Sequence, residues 1–291
     1  MIHRLFGVVL VLIGLFAGAA GCRTVRNGTY TTRSYVWVGR HLQREWPYVI
    51  DVRNATKRLV FMGCNHIRDT TDRQFAMIEQ YFAQLKPQVA FNEGGTITKH
   101  YVSRNDGIRR SGETGCLKFL CDNASIKMLN GDLADSLEYT LMLRRFPKDK
   151  LFLYYVMERL VVPYLNGAYG KESFEETFNK SVNAWFVGEG FPLTQNEQSY
   201  AHFQQLYQHY VGHLFELSLN ADVERFDYVN GGNCEFCALG RASKMLRDSV
   251  LLTKLDRALD QHDRVIVTFG GGHALALEPA LKQLIRRKRH G

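Results

Sequence analysis

The sequence predicts an α/β fold: a mainly parallel or mixed central sheet flanked by helices, with a helical insertion in the middle of the chain. Three observations predict it. Short apolar runs bounded by glycine or proline alternate with helical periodicities at both ends of the chain. The order is strand-helix-strand at the start and helix-strand-helix at the end, which is the order of parallel pairing. Between them, residues 134 to about 225 are rich in Tyr, Phe and Leu at helical spacing, with a break at Gly188 to Pro192.

The elements follow in order. Arg58 to Met62 (RLVFM) reads as a buried strand closed by Gly63. Asp72 to Leu85 reads as a helix, with Phe75, Ile78, Phe82 and Leu85 on one face, stopped by Lys86-Pro87. Gln88 to Phe91 is a second strand, ending at Asn92-Glu93-Gly94-Gly95. A helix is expected around Gly115 to Ala124 and a third strand at Ser125 to Leu129. Ala242 to Gln261 is amphipathic, with Met245, Val250, Leu252, Leu255 and Leu259. Arg264 to Phe269 (RVIVTF) is the strongest strand, followed by Gly270-Gly271-Gly272-His273 and a helix from about Leu275 to Arg287.

Composition bounds the function classes. The 291 residues are 45% hydrophobic and 23% charged, with six prolines and 25 glycines, which excludes wholesale disorder and a small disulfide scaffold. The net charge is +8, but Arg286, Arg287, Lys288 and Arg289 supply half of it in one terminal run. No nucleic-acid motif appears, so nucleic acid is not an expected partner.

The N-terminus reads as an export signal. Arg4 precedes an apolar run from Leu5 to Ala20, about the length of a signal-peptide core and short for a membrane span. Ala19-Ala20-Gly21-Cys22 resembles a bacterial lipobox, in which the cysteine is lipidated after cleavage. The expected organisation is a signal peptide over 1–21, a lipidated tether and lead-in over 22–54, and one domain over 55–291. The resemblance implies an exported bacterial membrane lipoprotein facing the periplasm or cell surface, with the membrane as a partner through its lipid. In such a compartment Cys116, Cys121, Cys234 and Cys237 are disulfide candidates, within or between the two close pairs, although two such pairs can also bind zinc.

Three polar positions share one place. His66 follows the first strand, Glu93 ends the second and His273 follows the last. In a parallel sheet all three lie at the carboxyl edge, where open α/β sheets bind ligands. Two imidazoles and a carboxylate suit a divalent transition ion. The metal-free alternative makes a histidine the base, with Glu93 orienting it. Cys64, inside the first motif, is either a soft ligand or a small buried residue.

These motifs resemble the Tiki/TraB/GumN superfamily, with its ChaN-like and erythromycin-esterase-like relatives. That group carries two GxxH motifs, here Gly63–His66 and Gly270–His273, and a glutamate closing the second strand, here Glu93. Val265 to Leu281 is similar to its C-terminal motif, and Arg247-Asp248 to an Arg-Asp pair before it. The resemblance implies a hydrolase of peptide, amide or ester bonds. Its catalytic residues would be His66, Glu93, Glu113 and His273, with Arg247 holding a small-molecule or peptide substrate. His66, His273 and Glu93 would bind Mn, Co, Zn or Fe. ChaN-like relatives imply the alternative, haem or iron binding without turnover, for which His202, His209 and His213 form a candidate stripe. Asp132 is a weaker candidate that ligates or orients.

Overall fold

The computed structural model describes residues 24–27, 29–42, 45–167, 169–218, 223, 225–231 and 234–288. Cys22 and the apolar run before it lie outside these residues.

The chain begins with a hairpin of β1 (Thr24–Asn27) and β2 (Tyr30–Arg33), then a short helix α1 (Tyr35–Gly39). The sheet is built from β3 (Tyr48–Arg53), β4 (Arg58–Cys64), β5 (Val89–Asn92), β6 (Lys127–Asn130) and β7 (Arg264–Gly270), in the order β3-β4-β7-β5-β6. β4, β7, β5 and β6 are mutually parallel, and β3 runs antiparallel to β4 at the edge. The fold is therefore α/β with a mixed, mostly parallel sheet, as the sequence predicts. The last strand inserts between the first two parallel ones, with Phe61 opposite Val267 and Val267 opposite Phe91.

The parallel strands are apolar on both sides because helices cover both faces. On one face Val60, Met62, Ala90 and Ile266 meet α2 (Arg73–Leu85) and α3 (Arg104–Asn123). On the other, Phe61, Phe91, Val265 and Phe269 meet α9 (Glu235–Gln261) and α10 (Gly271–Arg287). The middle holds α4 (Asp135–Leu143), α5 (Lys148–Val156), α6 (Val162–Leu165), α7 (Phe174–Ser181) and α8 (Tyr200–Val211). It buries its own aromatic core, including Tyr139, Phe152, Tyr155, Phe178, Phe186 and Phe203. Among the described residues no helix is long and apolar enough to cross a membrane.

Four expectations need correction. The stretch read as tether and lead-in to residue 54 contributes to the fold: Tyr48–Arg53 hydrogen-bonds along the whole of β4, and Tyr35 and Val38 of α1 are buried against Leu275 and Ala276. The pattern is hidden because Asp51 and Arg53 break the apolar run on a half-exposed edge strand. The helix expected near Gly115 begins at Arg104; its first half is polar and Ser111 and Gly112 are non-helical. The helices expected from Ala242 and Leu275 begin at Glu235 and Gly271.

The fourth correction concerns cysteine. Cys234 and Cys237 form a disulfide, whereas Cys116 and Cys121 are free, buried thiols. Both sit on α3 five residues apart, about 7.5 Å along the axis at 1.5 Å per residue, farther than a disulfide spans.

Candidate active site

β4, β5 and β7 each end in a polar residue, and because they are adjacent and parallel those residues converge. β4 delivers His66, β5 delivers Glu93, and β7 runs directly into α10, whose first turn holds His273. His66 Nε2 lies 3.9 Å from Glu93 Oε2, and His273 Nε2 lies 3.7 Å from Glu93 Oε1. Glycine makes this approach possible: a methyl on Gly270 would stand 3.1 Å from both Glu93 Oε2 and His66 Nε2.

Each imidazole is oriented from behind by a carboxylate. His66 Nδ1–H donates to Glu113 at 2.6 Å. Glu113 is buried and follows the kink in α3 at Gly112. Gly112 has φ +54°, and a Cβ there would meet the Ile67 carbonyl at 2.9 Å, so the kink requires glycine. His273 Nδ1–H donates to Asp248 of α9 at 2.6 Å, and Tyr35 O–H donates to the other Asp248 oxygen at 2.8 Å. Nε2 of His273 is buried and has no hydrogen-bond partner.

Glu93 accepts a hydrogen bond on each oxygen. Arg247 of α9 donates to its Oε1 at 2.5 Å, and the Gly270 N–H donates to Oε2 at 2.5 Å. Arg247 also grips Asp132, after β6, through two bonds of 2.6 and 2.5 Å. Burial alone would raise the Glu93 carboxyl, but Arg247 and the two imidazoles outweigh it and hold Glu93 well below the usual carboxylate range. Asp132 is lowered against burial by the same guanidinium. Partial desolvation by the surrounding chain pulls His66 down, although its side chain stays 63% exposed, yet the Glu113 hydrogen bond and charge prevail and raise it to about 9.

The site opens into a cavity of about 410 Å³ between the sheet edge and the insertion. Leu42, Trp46, Val162 and Phe226 give it apolar walls, and His66, Glu93 and His273 form its polar end. Gly270 caps α10 without a side chain, so the N-terminus of that helix borders the cavity too. Lys244 projects from α9 into the wall, 3.0 Å from Glu158 and 5.0 Å from the Tyr228 ring centroid.

The convergence of His66, Glu93, Glu113 and His273 follows the sequence expectation. Arg247, expected to hold substrate, is buried between two ionised carboxylates, which take up its Nε and Nη2 donors. Cys64 is buried among Val60, Met62 and Phe75, and burial first, then Glu113, pushes its thiol well up, while one side of it borders the cavity that His66 lines. The histidine stripe does not persist, because α8 ends at Val211 and His213 lies beyond the left-handed Gly212. The aromatic residues around it pack against one another, as Phe203 does with Phe215 at 4.9 Å.

Sequence reasoning missed Tyr35, Trp46, Lys244 and Tyr228. Lys244 carried a signal, since Lys244, Arg247 and Asp248 share one face of an amphipathic helix whose buried side they occupy; Tyr35 carried none. It also missed Asp149 and Glu197, which stand beside His202 of the expected stripe in the insertion. Their ligand atoms lie within 4.8 Å of one another, so this group could hold a metal ion. Glu197 there is also bound by Lys148 at 2.5 Å and by the Thr194 N–H at 2.8 Å.

Compared with protein-family models, curated proteins and solved structures, the chain matches none of them.

Proposed function

We propose that the protein is a hydrolase of ester, amide or peptide bonds, of the Tiki/TraB/GumN type, in which His66 activates water. The observation that carries this reading is the His66–Glu113 dyad: a base whose Nδ1–H is fixed by a buried carboxylate and whose Nε2 faces a cavity. Deprotonated His66 takes a proton from a cavity water at Nε2. The hydroxide oxygen attacks the substrate carbonyl, and Glu113 stabilises the imidazolium that forms. The cation of Lys244 and the N-terminus of α10 provide the positive field for the developing oxyanion. His66 then returns the proton to the leaving group. The walls of Leu42, Trp46, Val162 and Phe226 favour a substrate with an apolar group next to the scissile bond. With a lipid on Cys22, the enzyme would work at the bacterial envelope.

A metal-dependent variant is favoured by one observation, the buried and unpartnered Nε2 of His273. Both imidazoles fit an ion, since each has its Nδ1 anchored to a carboxylate. Glu93 accepts one hydrogen bond on each oxygen and keeps a lone pair on each for an ion, but the three ligand atoms do not cluster within 4.8 Å as those of Asp149, Glu197 and His202 do. A bound ion would supply a water of lowered pKa.

The test is turnover of a panel of chromogenic aryl esters and aminoacyl anilides before and after dialysis against a chelator, with metal analysis of both samples. Turnover that survives removal of metal supports the proposed reading. Turnover lost and restored by one of Mn, Co, Zn or Fe supports the metal variant. No turnover of any member in either sample overturns both.

A further inference from the structure

Cys234 and Cys237 stand apart from the hydrolytic site, and they differ from every other described cysteine. They form a C-x-x-C disulfide at the start of α9, with Cys234 as the N-cap and Cys237 three residues on. Cys64, Cys116 and Cys121 are buried in the sheet core, and burial pushes the thiols of Cys116 and Cys121 up to about 12.

Three features of the pair belong to an exchange reaction. First, its two sulfurs are not equivalent: Cys234 is half-exposed and Cys237 is completely buried, so an incoming thiolate reaches only one. Second, Cys234 Sγ accepts the Cys237 N–H at 3.2 Å, at the N-terminus of a 27-residue helix. That N–H and the helix dipole stabilise a thiolate there. Third, the carbonyl oxygen of Arg225 lies 3.0 Å from Cys234 Sγ and 3.4 Å from Cys237 Sγ. In the disulfide neither sulfur has a proton to give it. After reduction either thiol can donate to it, so the reduced pair fits the same surroundings. Phe236, between the two cysteines, packs on Phe226 at 4.5 Å, and Phe226 lines the cavity wall.

We propose that Cys234–Cys237 is an exchange-active disulfide that accepts two electrons from small thiols, with Cys234 as the attacked sulfur and Cys237 as the leaving one. A thiolate attacks Cys234 Sγ, the bond between the two cysteines breaks, and Cys237 leaves as a thiolate, which takes up the proton released by the incoming thiol and, as a thiol, donates a hydrogen bond to the Arg225 carbonyl. A second thiolate attacks the donor sulfur of this mixed disulfide. The donor disulfide departs and Cys234 is released as a thiolate at the helix N-terminus. Two thiols are oxidised and one protein disulfide is reduced.

The experiment uses the folded full chain and reduced glutathione without denaturant, followed by alkylation and peptide mass mapping. The expected result is labelling of Cys234 and Cys237 with unlabelled Cys116 and Cys121 and an unchanged near-ultraviolet circular dichroism spectrum. Labelling of the pair only after urea unfolding makes the disulfide purely structural and overturns the proposal. Two single variants test the order of attack by reaction with oxidised glutathione. Cys237→Ser, which keeps the exposed sulfur, is expected to form the mixed disulfide at least about tenfold faster than Cys234→Ser, given the access and thiolate stabilisation at the N-cap. Equal rates, or the reverse order, remove Cys234 from the role assigned to it.

Discussion

Arg247 and Glu93 form a buried ion pair at 2.5 Å, each side chain 12% exposed, and Asp132 closes it into a triad around one guanidinium. The pair joins α9 to the end of β5 and so fixes the carboxylate toward which both site imidazoles turn. Arg247→Met keeps the volume and removes the charge, leaving two buried carboxylates side by side. A loss of about 3–5 kcal/mol of unfolding free energy is expected, as when one partner of a buried pair is removed. Urea titration at neutral pH measures it; a loss below about 1 kcal/mol would mean that the triad behaves as a surface pair.

Tyr35 is a positioning residue whose hydroxyl touches both Asp248 at 2.8 Å and His273 Nδ1 at 3.0 Å. Tyr35→Phe removes a hydrogen bond to a buried carboxylate and is expected to cost about 1.5–3 kcal/mol. If its role extends to orienting His273, kcat falls while KM holds. An unchanged kcat with lowered stability leaves Tyr35 purely structural.

Gly271 allows the first turn of α10 to lie against Trp46, since a methyl there would overlap the indole ring. Gly271→Ala is expected to destabilise by about 1–3 kcal/mol through overpacking and to shift tryptophan emission as Trp46 moves. Thermal unfolding and emission spectra together check this; an unshifted spectrum at full stability would contradict the contact.

The dyad has a pH signature. His66 is raised from 6.5 to about 9 by Glu113, which overcomes its partial desolvation, and because the ring is 63% exposed, solvent screens part of the effect. A raised folded-state pKa stabilises the protein fully below pH 6.5 and progressively less as pH rises through 9. The stability difference between wild type and His66→Asn is therefore expected to be largest below pH 6.5 and to shrink above it. Because the base must be deprotonated, kcat/KM of the wild type is expected to climb toward pH 9. Urea titrations and rates across pH 5–10 measure both; a flat stability difference or a rate plateau from pH 6.5 contradicts the assignment.

The parts of the fold that sequence could reveal were those under one dominant constraint. β4 and β7 are buried on both faces, so RLVFM and RVIVTF read directly as strands, and the polar residues at their ends stood out. β3 was obscured because its exposed side carries Asp51 and Arg53. The kink at Gly112 hid the start of α3 and, with it, the burial of Glu113. Tyr35 and Trp46 reach the site only through tertiary packing of the N-terminal segment, for which no local pattern exists. Arg247 was legible as a site residue, but its partners were not, because Glu93 and Asp132 lie 154 and 115 residues away in the chain.

The central claim is that His66, held by Glu113, is the base of a hydrolytic site. The most direct measurement compares turnover of the best chromogenic ester or anilide by wild type, His66→Asn and Glu113→Gln, each shown to be folded by circular dichroism. The account predicts wild-type turnover and a loss of about 10²- to 10⁴-fold in His66→Asn, with a smaller loss in Glu113→Gln. Wild-type rates in folded His66→Asn would contradict it.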